Sequence, residues 1–150
     1  MKNESVSIAS LGLATPPHAV KQSEAEAFMR SHYSKVLEPR SLSKMIKIFA
    51  HPSVLNRYIA VKDLECLVNE EQGARIDRFT HWAVALSSEA IKSALEQAGI
   101  TSDDVTGLVV NTCTGYICPG ISTYLLEKLG FSNNIRIHDL VGSGCGGSIP

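Results

Sequence analysis

The sequence contains no apolar run that approaches the length of a membrane span. A spanning helix needs about 20 consecutive apolar residues, and no segment of this chain reaches that length. The N-terminus, Met1-Lys2-Asn3-Glu4, lacks the basic start and the apolar core of about 7–15 residues that mark a secretory signal peptide. These absences predict a cytoplasmic protein with no membrane span.

The chain also has no excess of charge of either sign. Its 14 lysines and arginines nearly balance its 15 aspartates and glutamates, and the net charge is −1. Proteins that bind nucleic acid usually show a basic face, so we expect no nucleic-acid partner, although a local basic patch for a phosphorylated ligand is still possible. The hydrophobic content of 44% is that of a globular protein.

Cysteine is scarce, and its spacing favours neither a disulfide framework nor a metal site. The four cysteines are Cys66, Cys113, Cys118 and Cys145. A cytosolic chain of this size, with few cysteines, is expected to keep them reduced. Cys113 and Cys118 have no second cysteine or histidine pair at ligand spacing, so we expect no zinc or other metal there.

Hydrophobic periodicity predicts strands and helices in alternation. Predicted strands cover residues 6–14, 57–61, 108–110 and 135–140, and predicted helices cover residues 23–35, 42–50, 74–98 and 121–129. The continuous apolar run at 108–110 predicts a strand buried on both faces. The alternation predicts an α/β fold with a mainly parallel sheet, whose sites lie at the carboxyl ends of strands. The loop 111–120 and the turn at 142–147 both follow such ends.

Cys145 lies in the turn Gly142-Ser143-Gly144-Cys145-Gly146-Gly147, between a predicted strand and a helix start. Glycines allow a sharp turn and the close approach of a substrate, and the positive end of a helix dipole favours the thiolate. These features predict a nucleophile for acyl transfer. Two alternatives stay open: a G-x-G-x-x-G dinucleotide-binding turn, and a buried cysteine that only packs.

Four motifs in register resemble the type III polyketide synthases, the chalcone-synthase family. They are the Cys145 segment 139–147, the T-G-x-x-x-P-G loop 114–120, the opening 12–17, and the pair Arg57-Tyr58. The resemblance covers residues 1–150 as the first two-fifths or so of a typical family member. It implies a thiolase-like α/β fold with flanking helices and a mainly parallel or mixed sheet, normally assembled as a homodimer. This chain is implied to be the N-terminal part of the first half of that fold.

The resemblance also implies roles for residues around the nucleophile. Cys145 corresponds to the cysteine that is loaded from acyl-CoA and extended by decarboxylative condensation with malonyl-CoA, so CoA thioesters are substrates and no cofactor is expected. Cys113 and Thr114 match positions that line the acyl cavity. Cys118 matches a position that reaches into the partner subunit's cavity, where it leaves more room than the methionine common in plant enzymes.

Three further positions are implied to bind coenzyme A. Lys44 and Lys47 match basic positions that contact the CoA phosphates, and their spacing of three places them on one helix face. The third basic position of the set falls on His51 rather than on a lysine. The family's catalytic histidine and asparagine correspond to positions beyond residue 150, so the 150-residue chain alone is expected to be inactive.

Two other functions are compatible with the sequence. A ketoacyl-ACP synthase III or hydroxymethylglutaryl-CoA synthase also uses a cysteine in the same fold, although the nucleophile turns of those enzymes are usually less rich in glycine. A stand-alone module could instead hold a nucleotide or CoA through Lys44, Lys47 and the glycine-rich turn, without forming any covalent bond.

Overall fold

The computed structural model describes residues 5–142, and these residues form two compact units. One unit consists of residues 15–71. The other consists of residues 5–14 together with residues 72–142. In the described part of the chain, no helix is long and apolar enough to cross a membrane.

The unit of residues 15–71 joins two helices to a two-stranded antiparallel sheet. The strands are β1, His18–Lys21, and β2, Asn56–Ile59, and the helices are α1, Gln22–Tyr33, and α2, Pro39–Phe49. A 3₁₀ helix follows at Leu64–Leu67. The backbone N–H of Gln22 donates to the carbonyl oxygen of Leu55 at 2.8 Å, which attaches the start of α1 to the chain that enters β2.

Both helices of this unit begin earlier than the sequence predicts. Lys21 is the N-cap of α1, and its backbone N–H donates to the Glu24 carboxylate at 3.3 Å, so the predicted start at Ser23 is wrong. Pro39 begins α2, three residues before the predicted start of this helix at residue 42. Proline suits the first helical position because its fixed φ is helical and the N–H it lacks would have no partner there.

The other unit contains a parallel strand pair covered by helices. Its elements are α3, Gln72–Ala98; β3, Gly107–Thr112; α4, Ile121–Leu129; and β4, Arg136–Val141. The predicted parallel pairing is confirmed, with Gly107 opposite Arg136 and Thr112 opposite Val141. Helix α4 packs against α3 and both strands. The core of this unit is centred on α4, where Ile121 and Leu125 are buried, together with Phe131 just beyond it.

Two strand predictions in this unit are corrected. Residues 6–14 form no strand, because strands need a paired neighbour and none of the described residues provides one; Val6 and Ile8 are exposed. Strand β3 exists, but it is not buried on both faces. Its side chains alternate between exposed and half-buried, and Val109 is 58% exposed.

Short-range hydrogen bonds fix the entry to β3. In the 3₁₀ helix Ser102–Asp104, the Asp104 carboxylate accepts from the backbone N–H of Thr101 at 2.8 Å and from its hydroxyl at 2.9 Å. The backbone hydrogen bond, and then the hydroxyl, lower the pKa of the exposed Asp104 carboxyl below its ordinary value of 3.8. Asp104 is therefore a local capping residue.

Candidate functional site

The loop 113–120 connects the carboxyl end of β3 to the start of α4. It carries Cys113, Thr114 and Cys118, and all three are exposed. A cavity of about 200 Å³ lies against this loop, lined by Cys118 and by Asp139 and Val141 of β4 among others. The structure therefore places Cys118 on this cavity, whereas Cys113 and Thr114 lie on the same loop without lining it.

Asp139 of β4 anchors the first turn of α4. Its carboxylate accepts a hydrogen bond from the backbone N–H of Ser122 at 3.1 Å and a second, short one from the Ser122 hydroxyl. Ser122 is fully buried. The N-cap residue Gly120 has no side chain, so Asp139 satisfies one of the amide groups that a helix N-terminus leaves without a partner. The strand that leads toward Cys145 is thus tied to the loop that carries Cys118.

Close packing explains the two glycines of the T-G-x-x-x-P-G motif. A Cβ added at Gly120 would lie 2.6 Å from the Cγ atom of Asp139, and a Cβ at Gly115 would lie 2.6 Å from the Phe79 ring. Both distances are far below a carbon–carbon van der Waals contact. The glycines are therefore needed because the loop lies directly against β4 and α3.

We expect Ser122→Ala to lower the free energy of unfolding by about 1–2 kcal/mol, since the variant loses a charge-assisted hydrogen bond to Asp139. Thr123→Ala is the matched control, because Thr123 is the next residue of the same helix and is exposed; it should change stability by less than about 0.5 kcal/mol. Urea denaturation of both variants measures the difference. If Ser122→Ala were as stable as Thr123→Ala, the contact between Ser122 and Asp139 would not stabilise α4.

A second, more open groove of about 560 Å³ also lies against the loop. Cys118, Tyr116 and Tyr124 line it together with Ile76 and His81 of α3. Tyr116 is 71% exposed and Ile76 is 42% exposed. Cys118 thus lines both the 200 Å³ cavity and this groove, which carries exposed aromatic and aliphatic side chains.

The basic positions predicted to bind CoA lie on and after α2, in the unit of residues 15–71. Lys44, Lys47 and His51 are all exposed. Lys47 and His51 line a groove of about 340 Å³, and Lys44 is not among its lining residues. The His51 Nδ1 atom lies 2.5 Å from the hydroxyl of Ser53, which fixes the ring at the edge of this groove.

Sequence reasoning missed two residues of this groove, Gln22 and Arg57. Arg57 was noticed only as half of an Arg-Tyr motif, and Gln22 gave no signal because a glutamine at a helix start is usually unremarkable. In the structure the Nε atom of Arg57 donates to the Oε1 atom of Gln22 at 2.6 Å. The sequence could not reveal this contact, since the two residues are 35 positions apart.

Cys145 lies outside the described residues, so its role as nucleophile stays a prediction. What the structure does describe is the strand that precedes it. Because β3 and β4 are parallel and Thr112 is opposite Val141, the loop after β3 and the chain after β4 leave the same edge of the sheet. Among the described residues, no group of histidine, cysteine, aspartate or glutamate side chains could hold a metal ion.

The comparisons of this chain with known proteins indicate the same family. The model for the N-terminal domain of chalcone and stilbene synthases matches residues 2–149. Acylalkylpyrone synthase of Aspergillus oryzae is 32% identical over 155 residues, which cover 97% of this chain and 37% of that protein. The chain therefore spans little more than a third of the length of this curated relative.

Solved structures agree with the sequence comparison. The crystal structure of CsyB complexed with CoA-SH matches with a TM-score of 0.78 and 33% identity, covering 95% of this chain and 38% of that one. A fungal type III polyketide synthase, ORAS, matches with a TM-score of 0.77 and 26% identity, covering 94% of this chain and 38% of that one.

Proposed function

The chain belongs to the chalcone and stilbene synthase family, and from this premise we propose that the protein is a type III polyketide synthase, an acyltransferase that uses CoA thioesters. The observation that carries the proposal is the match of the family model to residues 2–149, which includes the Cys145 segment. The parallel pairing of β3 and β4 supports it, since it directs the Cys118 loop and the chain leading to Cys145 to one edge of the sheet.

The proposed reaction begins with Cys145. Its thiolate attacks the carbonyl carbon of a starter acyl-CoA, the thioester bond to CoA breaks, and CoA leaves as a thiol after it takes up a proton. Malonyl-CoA then loses CO₂, and the resulting enolate attacks the acyl carbonyl on Cys145. As the new carbon–carbon bond forms, the bond between the acyl carbon and the Cys145 sulfur breaks. Cys145 is released as a thiolate, and the product is a diketide in the form of a CoA thioester.

The residues around the loop would shape and limit the acyl chain. We propose that Cys113, Thr114 and Cys118 contact the growing chain. Cys118 supports this best, since it lines the 200 Å³ cavity against β4. Its small side chain would also leave more room in the partner subunit's cavity than a methionine at that position, which favours a bulkier starter or product.

We propose that Lys44, Lys47 and His51 bind the CoA portion of the substrates. The supporting observation is that Lys47 and His51 line one groove together with Arg57, and basic side chains of this kind suit the phosphates of CoA. One of the similar solved structures is described as a complex with CoA-SH, which agrees with CoA as the ligand. No other cofactor is proposed.

The assembly and location are also proposals. We propose a homodimer in which the exposed surface around Tyr116 and Cys118 faces the partner subunit. The support is the 560 Å³ groove there, whose rim includes Tyr116, 71% exposed; exposed aromatic side chains of this kind are enriched at protein interfaces. We propose that the enzyme acts in the cytoplasm.

The family match favours polyketide synthesis over the other functions that the sequence leaves open. A ketoacyl-ACP synthase III would use malonyl-ACP as extender, and a binding module would form no product. The whole protein that carries this chain should therefore be incubated with acyl-CoA starters and either malonyl-CoA or malonyl-ACP, and the products identified by mass spectrometry. We expect polyketide products from malonyl-CoA. Products from malonyl-ACP alone, or from neither extender, would contradict the proposal.

A further inference from the structure

Arg57 adds a permanent positive charge to the groove that holds Lys47 and His51. A guanidinium stays protonated throughout the physiological range, whereas histidine side chains generally change charge between pH 5 and 8. The groove thus has two permanent cations, one on α2 and one on β2. Lys47, His51 and Arg57, whose donor groups differ in chemistry, thus line the same groove of about 340 Å³.

The guanidinium of Arg57 is held in one orientation by two neighbours. Its Nε atom donates to the Oε1 atom of Gln22 at 2.6 Å, and its Cζ atom lies 5.1 Å from the centre of the Phe49 ring. No carboxylate among the described residues forms an ion pair with Arg57. The two terminal nitrogens therefore keep their donors, in the fork geometry that binds phosphate oxygens.

Gln22 supplies an independent sign that the groove takes a ligand. Its side chain is 94% buried, being only 6% exposed, and its Nε2 atom has no hydrogen-bond partner among the described residues. Exchanging the assignment of the oxygen and nitrogen of the Gln22 amide would not remove the problem, because Oε1 already accepts a hydrogen bond from Arg57. A buried donor without a partner is unfavourable, and an acceptor oxygen of a ligand in the groove that Gln22 lines would satisfy it.

We propose that Arg57 is a ligand-contact residue that binds a phosphate group of the CoA thioester, with Gln22, which accepts a hydrogen bond from its Nε atom, as the positioning residue. This inference rests on the proposed function, because it assigns a further residue to the same CoA site. Arg57 supplies a permanent positive charge there. The uncharged pantetheine arm of the ligand would not depend on Arg57.

Calorimetric titration with CoA and with pantetheine tests the assignment. Arg57→Gln should weaken CoA binding by about tenfold or more, the usual effect of losing a charged hydrogen bond, and should leave pantetheine binding unchanged. It should also reduce the loss of CoA affinity on raising the salt concentration. Arg40→Gln is the matched control, since Arg40 is exposed on α2 but does not line the groove; both ligands should bind it as they bind the wild type.

A measurement on the unaltered protein covers the case in which Arg57→Gln fails to fold. Phenylglyoxal modifies accessible arginines, and peptide mass spectrometry locates the adducts. CoA, but not pantetheine, should protect Arg57, and neither should protect Arg40. If wild-type protein binds CoA while Arg57 stays unprotected or its variant binds normally, this inference is wrong and the proposed function stands. If the wild type does not bind CoA at all, both fail.

Discussion

Cys145→Ala should abolish covalent loading of an acyl group and should lower polyketide formation by about three orders of magnitude or more. The reason is that the proposed reaction needs the Cys145 thiolate to accept the acyl group. The cysteines of the described residues, Cys66, Cys113 and Cys118, are free and exposed, but none of them lies in a glycine-rich sequence such as Gly142-Ser143-Gly144-Cys145-Gly146-Gly147. Without a thiolate at that position, an acyl-CoA ester could bind but could not transfer its acyl group.

Intact-protein mass spectrometry of the whole protein that carries this chain, after incubation with acyl-CoA, measures this directly. Wild-type protein should gain the mass of one acyl group, and Cys145→Ala should gain none. Cys66→Ala is the matched control, because it removes an exposed thiol from the other unit, and it should load as the wild type does. An adduct that persists in Cys145→Ala, and that peptide mapping places on Cys113 or Cys118, would assign the nucleophile to the loop instead.

The sequence was informative wherever local chemistry decides the structure. Helix α4 runs from Ile121 to Leu129 as predicted, and Gly130 closes it with a left-handed φ of 66°. The long helix α3 and the parallel strands were also predicted from apolar periodicity alone. The α/β fold expected from the family resemblance is confirmed by relatives such as the CsyB complex, with a TM-score of 0.78.

The sequence was less informative where contacts are distant along the chain. The segment 6–14 has the apolar composition of a strand, but only pairing makes a strand, and the described residues contain no partner for it. The contact between Arg57 and Gln22 and that between Asp139 and Ser122 join residues 35 and 17 positions apart. No local pattern encodes such pairs, so the groove and the anchor of α4 emerged only from the fold.

Gly12→Ala should lower the free energy of unfolding by about 2–3 kcal/mol, the upper range for overpacking a tight contact. Gly12 belongs to the opening motif and packs against the backbone of α3. A Cβ there would lie 2.8 Å from the backbone nitrogen of Ala94 and closer still to the carbonyl oxygen of Ala90. Helix backbone cannot move aside as a flexible side chain can, so segment 5–14 would have to shift away from α3.

The variant Gly73→Ala separates this contact from the general effect of replacing a glycine. Gly73 lies in the first turn of α3, and nothing is within 4 Å of an added Cβ. Because alanine favours helix over glycine, Gly73→Ala should be neutral or more stable by up to about 1 kcal/mol. Urea denaturation should therefore show a lower midpoint for Gly12→Ala and an unchanged or higher midpoint for Gly73→Ala.

Hydrogen exchange of backbone amides shows whether the loss of stability in Gly12→Ala arises where segment 5–14 packs against α3. In the wild type, the Ser10 hydroxyl donates to the carbonyl oxygen of Ala94 at 2.7 Å, which is a second tie between the segment and α3. If the added methyl pushes the segment away, amides near residues 10–14 should exchange faster in Gly12→Ala. Unchanged exchange together with wild-type stability would mean that the segment accommodates a Cβ, and the motif glycine would then need another explanation.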